Sequence, residues 1–406
     1  VHMFYSGSTE IKNNILGVKG IAGHYTLDTG DGLVMIDAGS QLDIETTYAE
    51  IKKWRPDTSV KAAIFTHHHV DHIFAVKHFD EENKKMGISK PIVYGHELMP
   101  DHFDRYIKTN DWNTAINRRQ FAIDVEHFKW PTEYRYPDIT YKHDISFKCG
   151  DLTFNLHHAR GETDDHTWIH VPEEKLIAPG DLFIWAVPNG GNPQKVQRYI
   201  SDWADALDEM LKLDCEIFLP GHGFPILGKK RIKKALETTS KFLRSIEDQT
   251  LKLMNQGKSL NQVLHEVEIP NDLMELPWLT PIYDDPQFLI RMIWRRYGGW
   301  WDGEYDRLLP APRKDEALAW VELSNGIDNI ILKALENLDK GNFKVAAHLI
   351  ETAFHADNDN EQMHDARAKI YREFSLKQSS SMGRNILNHA SMASAQGKRD
   401  LAQTED

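Results

Sequence analysis

The sequence predicts an α+β domain, in which helices cover mixed β-sheets, followed by an all-α domain. In the first half, short β-rich runs alternate with turn clusters and helical segments, and after Gly228 the pattern becomes almost entirely helical. The length of 406 residues also exceeds the size at which one hydrophobic core usually stops growing. We therefore expect a first domain over residues 1–228, a helical domain over 229–390 and a flexible tail over 391–406.

The strands predicted for the first domain are short apolar or β-branched runs bounded by turn residues. Residues 24–27 and 33–36 flank an Asp-Thr-Gly-Asp-Gly turn, which is typical of a hairpin. Further strands are predicted over 62–65, 92–94, 152–157, 168–171, 175–178 and 216–219. Between these runs, apolar residues recur with helical spacing over 45–54 and 200–213, which predicts the helices that cover the sheets.

The second half is predicted to be a helical bundle. Amphipathic segments cover residues 229–256, 260–267, 286–296, 318–339, 343–356 and 361–374. Residues 332–375 resemble one tetratricopeptide-type pair of helices, but the pattern does not repeat, so a bundle is favoured over a solenoid. From about residue 391 the chain is small and polar, which predicts a frayed end.

Composition excludes several classes of function. The formal net charge of −13, from 48 basic and 61 acidic residues, argues against a nucleic-acid partner. No run of about 18 apolar residues is present, so the sequence predicts no membrane span. Cys149 and Cys215 form no disulfide framework, which favours a cytoplasmic location, with the periplasm or secretion as the alternative if a leader has been removed.

The strongest functional signal is a His-x-His-x-Asp-His motif directly after the apolar run 60–65. Its defining positions are His67, His69, Asp71 and His72. A short loop at the end of a strand can direct these side chains into one pocket, and imidazole and carboxylate groups are typical zinc ligands. The alternative, a solvated histidine-rich loop, is disfavoured by the ordered spacing.

Three residues elsewhere fit the same site. Asp37 follows the apolar run 33–36, and a carboxylate there usually supports a metal-binding loop through hydrogen bonds; the alternative is an ordinary turn residue. Asp181 follows an Ala-Pro-Gly segment at the end of another predicted strand. His222 lies between two glycines and has little local packing to do, so a ligand role is favoured over a capping role.

The order of these motifs resembles the metallo-β-lactamase superfamily over about residues 10–228. The resemblance implies the αββα sandwich fold and a site for two zinc ions, although iron or manganese could occupy such ligands. It assigns one zinc ion to His67 and His69, the other to Asp71, His72 and His222, and a bridging position to Asp181.

The loop expected to supply the third ligand departs from the common Pro-Gly-His-Thr pattern of the superfamily. Glu162 stands in the position of the histidine, and a carboxylate is a competent zinc ligand. Asp164, Asp165 and His166 remain alternative ligands. An acidic residue at this position is a feature of the alkyl sulfatase branch.

Two further segments resemble that branch. Residues 296–303, Arg-Tyr-Gly-Gly-Trp-Trp-Asp-Gly, are similar to the Gly-Gly-Trp-x-Asp-Gly signature at which alkyl sulfatases enter their helical dimerisation domain. Residues 115–119 are similar to an Arg-Arg segment of the family. The resemblance therefore implies a homodimer formed through the helical domain. Asp181 departs from the family, which often has glutamate there.

The function implied is hydrolysis of a small-molecule sulfate ester by a dinuclear zinc site with a metal-bridging hydroxide. Asp71 and Asp181 would be the catalytic residues that hold the water and manage its proton. Cations suit the sulfate and aromatic rings suit an apolar alcohol. The candidates are Arg118, Arg119, Lys195, Arg198, Phe183 and Trp185, with solvated arginines or core aromatics as the alternatives.

Two other functions stay open at this point. The same scaffold could hydrolyse a lactone, a β-lactam, a thioester or a phosphodiester, because the loop 185–194 matches no sulfate-binding motif. The protein could also be an assembly module with a structural metal. Structural zinc is normally closed by four protein ligands, whereas seven candidate ligands for two ions leave room for water.

Overall fold

The computed structural model describes residues 7–123 and 128–402. Residues 1–6 of the predicted first domain and 403–406 of the predicted tail lie outside the described residues. The first sheet has seven strands in chain order: β1 (Gly7–Lys12), β2 (Ile15–Lys19), β3 (Gly23–Asp28), β4 (Leu33–Ile36), β5 (Val60–Ile64), β6 (Ile92–His96) and β7 (Ile139–Tyr141). Strands β1 to β4 pair antiparallel, which confirms the predicted hairpin, and β4 to β7 pair parallel.

The second sheet has six strands: β8 (Asp144–Cys149), β9 (Leu152–His158), β10 (Thr167–Val171), β11 (Leu176–Ile184), β12 (Ile217–His222) and β13 (Ile226–Leu227). They lie in the order β13-β12-β11-β10-β9-β8, with β11 and β12 parallel. Strand β11 extends well beyond the predicted run 175–178, and all nine of its residues are buried. Asp181 therefore lies inside this strand rather than after its end.

The two sheets pack face to face, with helices outside. Their shared core includes Leu27 and Ile36 of the first sheet and Phe154 and Leu176 of the second. Three helices cover the first sheet: α1 (Ile44–Trp54), α2 (Val76–Lys85) and α3 (Met99–Lys108). Two cover the second sheet: α5 (Ile200–Met210) and α6 (Lys229–Asn255). The result is a helix–sheet–sheet–helix sandwich.

The other regular elements of the described residues are helices. Helix α4 (Asn110–Phe121) follows α3, and the later helices are α7 (Leu260–Glu266), α8 (Asn271–Met274), α9 (Pro286–Gly298), α10 (Arg313–Leu323), α11 (Ile327–Asp339), α12 (Phe343–Ala356), α13 (Glu361–Leu376) and α14 (Ser381–Ala395). The single helix predicted over 318–339 is two helices, because Asn325 and Gly326 adopt φ of 58° and 122°. Among the described residues, no helix has the length and hydrophobicity that crossing a bilayer requires.

Helix α14 extends into the predicted tail. Residues 391–395 are helical, and the buried Ser391 and Ser394 pack against α13, where Arg367 donates a hydrogen bond to the Ser394 hydroxyl at 2.7 Å. Small side chains at these positions let the two helices approach closely. Helix α14 also packs on α4, which brings the helical domain against the first domain.

Candidate metal centre and adjoining pocket

Asp37 fixes the loop that follows β5. Its carboxylate accepts hydrogen bonds from the backbone N–H and the hydroxyl of Thr66, at 2.8 and 2.9 Å. It also lies 2.8 Å from Nδ1 of His72. A proton held on that nitrogen leaves Nε2 of His72 directed into the site. The hydrogen bonds confirm the supporting role predicted for Asp37.

Four of the predicted ligands form a first cluster. The ligand atoms of His67, His69, Glu162 and Asp181 all lie within 4.8 Å of one another. Nε2 of His67 is 2.9 Å from Nδ1 of His69, and that nitrogen is 3.7 Å from Oε1 of Glu162. Three of these residues are buried, so the cluster is closed to solvent on most sides.

The other predicted ligands form a second cluster, from Asp71, His72 and His222. Nε2 of His222 is 3.4 Å from the Asp71 carboxylate. Asp181 stands between the clusters, with Oδ1 3.4 Å from Nε2 of His72 and Oδ2 3.2 Å from Nε2 of His222. The structure therefore brings all seven predicted ligands together, with Asp181 between the two clusters.

The unsatisfied atoms of this site fit divalent cations. Nε2 of His72, Oε2 of Glu162 and Oδ1 of Asp181 are buried without hydrogen-bond partners among the described residues. Buried polar atoms without partners are costly, and metal ions would satisfy all three. Burial raises the pKa of Glu162 to about 8. For His222, burial lowers the pKa, but the negative charges of Asp181 and Asp71 together have the larger effect and raise it to about 10.

Glu162 is the member of the third-ligand loop that faces the clusters. The three alternatives have other partners. Asp164 lies 2.6 Å from Nε2 of His102, and Asp165 lies 2.9 Å from Nδ1 of His68. His166 stacks on the His67 ring at 4.6 Å and accepts a hydrogen bond from the Asp181 backbone.

Lys195 and Arg198 lie beside the first cluster, where the sequence predicted substrate-binding cations. Nη1 of Arg198 is 2.5 Å from Oε1 of Glu162 and also donates to the Asn189 carbonyl. Nζ of Lys195 donates to Oδ1 of Asn117 at 3.3 Å. Burial, together with the charge of Arg198, lowers the pKa of Lys195 to about 7, although the charges of Asp71 and Glu162 raise it. These two side chains border a region beside the first cluster, the adjoining pocket, which Asn117 also borders.

Two other predicted cations contact different parts of the molecule. Nε of Arg119 bonds Asp400 at 2.7 Å, and Arg118 donates to the Phe128 carbonyl at 3.3 Å. Both lie on α4, where Asn117 and Gln120 are the side chains that reach the pocket. Residues three apart share a helix face, and those between them point away from it, so these contacts of Arg118 and Arg119 lie on other sides of α4 than Asn117 and Gln120.

The two predicted aromatic contacts differ in position. Phe183 is 1% exposed and packs edge-on against Phe218 in the core, so the structure places it among core residues. The pairing of β11 with β12 shifts register between Gly180 and Ile184, so strand alternation does not bring Phe183 beside Asp181. Trp185 borders the loop that carries His222. Its ring fills the space beside Gly223, a residue with a backbone φ of 97° that favours glycine.

Sequence reasoning missed several pocket residues, above all Tyr283 from the segment before α9. Nε2 of Gln120 donates to the Tyr283 hydroxyl at 2.8 Å, and Asn192 donates to Oε1 of Gln120 at 3.1 Å. Burial raises the pKa of Tyr283, and so do the charges of Glu162 and Asp71, because its hydroxyl lies near the metal clusters. No local pattern marks these residues, since tertiary packing alone brings them together.

Sequence comparison assigns the two domains. The profile of the metallo-beta-lactamase superfamily matches residues 24–222, and that of the alkyl sulfatase dimerisation domain matches residues 259–397. The chain joins these two family domains. The predicted family relationship and fold class are therefore confirmed. The superfamily implies divalent metal binding, and the two clusters could provide it.

The curated relatives are alkylsulfatases. A linear primary-alkylsulfatase from a Pseudomonas strain is 24% identical over 85% of this chain and 69% of its own length. An alkyl/aryl-sulfatase from Saccharomyces cerevisiae is 23% identical over 96% of this chain and 64% of its own. The solved structure of a stereoselective inverting sec-alkylsulfatase from Pseudomonas sp. covers 97% of this chain and 66% of its own, with 21% identity and a TM-score of 0.87, which shows the shared fold. This chain spans 60 to 69% of the length of the curated relatives.

Proposed function

We propose that this protein is a dinuclear zinc hydrolase that cleaves sulfate esters of moderately apolar alcohols. The observation that carries the proposal is the arrangement of seven ligand side chains in two clusters around Asp181, next to a pocket with two buried or partly buried cations. The names of the curated relatives support the sulfate ester as substrate.

Two metal ions at this centre would lower the pKa of a shared water toward neutrality and supply a nucleophile without Ser or Cys. His67, His69 and Glu162 would hold one ion, and Asp71, His72 and His222 the other, with Asp181 between them. The carboxylates of Asp71 and Asp181 would accept hydrogen bonds from such a water and could take up its proton, which is why we assign them the catalytic roles.

The pocket residues match the charge of a sulfate ester. Lys195 and Arg198 offer N–H donors to the sulfate oxygens, and such charge-assisted bonds are the strong ones. Gln120 donates to the Tyr283 oxygen, so the hydroxyl proton of Tyr283 can turn to the substrate. Trp185 packs edge-on against Phe224 at 6.1 Å beside His222, and this aromatic wall suits the apolar alcohol.

The proposal predicts inorganic sulfate release from alkyl sulfates by the zinc-loaded protein. We expect the rate to rise with the length of the alkyl chain, because the aromatic wall buries apolar surface, by about 0.8 kcal/mol for each buried methylene. Ion chromatography measures the sulfate, and His69→Ala is the inactive reference. Cleavage of lactones, thioesters or phosphodiesters without sulfate release would contradict the proposed sulfate ester substrate, but it would agree with the proposed hydrolytic centre.

We also propose that the protein is a homodimer formed through the helical domain. Large apolar side chains are exposed on the segment from residue 300 to 323: Trp300, Tyr305, Leu309, Leu318, Trp320 and Leu323. In α10, Ala317 is buried against the bundle while Leu318, Trp320 and Leu323 face outward. A helix with apolar residues all round is normally covered on every side, and a second copy of this domain would cover the outer face.

Leu323→Glu is expected to weaken the dimer. Leu323 is 74% exposed in the single chain, so the substitution should leave the subunit fold intact and place a charge in the apolar contact. Light scattering at micromolar concentration should then change from a dimer to a monomer mass. The matched control is Leu42→Glu in the first domain, where Leu42 is 83% exposed. A monomeric wild-type protein, or equal behaviour of the two variants, would contradict the proposed interface.

A further inference from the structure

A chain of three polar side chains lies directly outside the metal clusters. Asp165, which is fully buried, accepts hydrogen bonds from the backbone N–H of His68 at 3.1 Å and from its Nδ1 at 2.9 Å. On the other side of the imidazole, Nη2 of Arg105 lies 3.2 Å from Nε2 of His68. His68 occupies the variable position between His67 and His69 in the metal-binding loop.

The protonation of this chain follows from its donors. A guanidinium can only donate, so Nε2 of His68 must accept the hydrogen bond from Arg105. The proton of the neutral imidazole is then on Nδ1 and is donated to Asp165. His68 thereby links a carboxylate and a guanidinium in one fixed tautomer. These hydrogen bonds hold the guanidinium of Arg105 in one orientation relative to the metal-binding loop.

The same region does not suit a further metal ion. His68, His102 and Asp165 have ligand atoms within 4.8 Å of one another, but each is already engaged. Nε2 of His102 lies 2.6 Å from Asp164, and the positive guanidinium of Arg105 occupies the outer nitrogen of His68. An ion would have to displace these partners and approach a cation, so the cluster serves side-chain positioning instead.

Arg105 shares its surroundings with the adjoining pocket. It lies on α3, with its guanidinium 5.7 Å from the centre of the Tyr106 ring; that ring packs on Trp130 at 5.5 Å, and Nζ of Lys195 lies 5.2 Å from the Trp130 ring centre. In accord with this geometry, burial lowers the pKa of Lys195 most, and the charges of Arg198 and Arg105 also lower it. Three cations therefore act on one region beside His69 and Glu162. Repulsion among like charges is unfavourable, and an anion bound among them relieves it.

We propose that Arg105 is a third cation of the pocket that binds the sulfate of the ester, and that Asp165 and His68 are positioning residues that hold its guanidinium in place. The proposal rests on the proposed function, which supplies the sulfate ester. A planar guanidinium held at one edge by His68 presents its remaining N–H groups to sulfate oxygens as a rigid fork. The pocket is then suited to a sulfate head group better than to a carboxylate, which has fewer oxygens.

The first test compares two cations of the same helix. Arg105→Met keeps an unbranched apolar stem and removes the guanidinium, and Lys108→Met removes an equal charge from an exposed position of α3. In the zinc-loaded full chain, we expect Arg105→Met to weaken the binding of inorganic sulfate about tenfold by calorimetry. The KM for an alkyl sulfate should rise by a similar factor, while kcat and zinc content stay near wild type. Equal sulfate affinity in the two variants would overturn the role of Arg105.

The second test separates positioning from simple support of the metal loop. In Asp165→Asn, the amide cannot accept both hydrogen bonds from His68, so Arg105 loses its fixed orientation. We expect the same tenfold loss of sulfate affinity, unchanged zinc content, and no additional loss in the Arg105→Met, Asp165→Asn double variant. Loss of zinc in Asp165→Asn, or additive losses in the double variant, would overturn the positioning role. His68→Gln repeats the comparison if Asp165→Asn does not fold.

The outcomes distinguish this inference from the proposed function. If no sulfate ester is hydrolysed but Arg105→Met still weakens the binding of inorganic sulfate, the reaction is wrong and the anion pocket stands. If alkyl sulfates are hydrolysed and Arg105→Met behaves like Lys108→Met, the reaction stands and the third cation is wrong.

Discussion

Asp71→Asn should lower kcat/KM for an alkyl sulfate at least about a thousandfold, because metal-ion catalysis supplies several kcal/mol of transition-state stabilisation. Asp71 lies 3.4 Å from His222 and belongs to the second cluster, so the amide removes both an anionic metal ligand and the carboxylate that manages the proton of the water. Metal analysis of the purified variant should find a loss of up to one of two zinc ions, since the first cluster does not include Asp71.

The control for this variant is His265→Asn, which removes an exposed histidine from α7. Its activity and zinc content should equal those of the wild type. The Asp71 side chain is partly exposed, so a folded Asp71→Asn protein is expected, and circular dichroism verifies it. Retained turnover in folded Asp71→Asn with full loss in His69→Ala would show that the first cluster acts alone.

The metal centre was predictable because its residues follow local rules. His67, His69, Asp71 and His72 lie within one loop, and their spacing directly after a strand is enough to predict a metal site. Asp37 follows a strand in the same way, and His222 ends β12 between two glycines. The parallel strands β4 and β5 end at one edge of the first sheet, which is why Asp37 meets the loop after β5.

The pocket beside that centre was only partly predictable. Lys195 and Arg198 follow Asp181 closely in sequence, and nearness along the chain was a useful guide for them. For Tyr283 and Gln120, whose contact joins residues 163 positions apart, the sequence offers no comparable signal. The contact depends on the packing of the helical domain on the first domain, where Ser380 also donates to the Tyr283 carbonyl at 2.6 Å. Helix phase likewise directs Asn117 and Gln120 to the pocket and turns the intervening Arg118 and Arg119 to other sides of α4, which charge alone does not reveal.

The largest effect expected outside the metal ligands is that of Lys195→Met on the binding of inorganic sulfate. A charge-assisted contact in a desolvated pocket is worth up to about 3 kcal/mol, which corresponds to a loss of roughly a hundredfold in affinity at pH 6. Since burial lowers the pKa of Lys195 to about 7, wild-type affinity should fall as the pH rises above that value in the free protein. The sulfate affinity of Lys195→Met should not show this fall with pH. Titration calorimetry from pH 6 to 9 measures the difference between the two proteins.

The same substitution should stabilise the metal-free protein at neutral and lower pH. The pKa of Lys195 is about 7 in the folded state against 10.5 for an ordinary lysine, so between these values the unfolded chain holds one more proton. Wild-type stability therefore rises with pH across that window, and below pH 7 the full cost of the buried charge is present. Lys195→Met removes the cost, which we place at about 1 to 3 kcal/mol, so its advantage should be greatest at pH 7 and below and vanish near pH 10.

Urea unfolding at several pH values measures this difference, and the other titrating groups of the site cancel because both proteins contain them. Lys233→Met is the matched control: Lys233 is exposed on α6, so its effect should stay within about 0.5 kcal/mol and should not depend on pH. A Lys195→Met advantage that is equally independent of pH would mean that the ammonium group is well solvated in the folded protein. A pH-dependent advantage, together with the weaker binding of sulfate, would mean that the fold maintains an unfavourable buried charge at the position where an anionic substrate is bound, a trade of stability for affinity that is expected of a binding site.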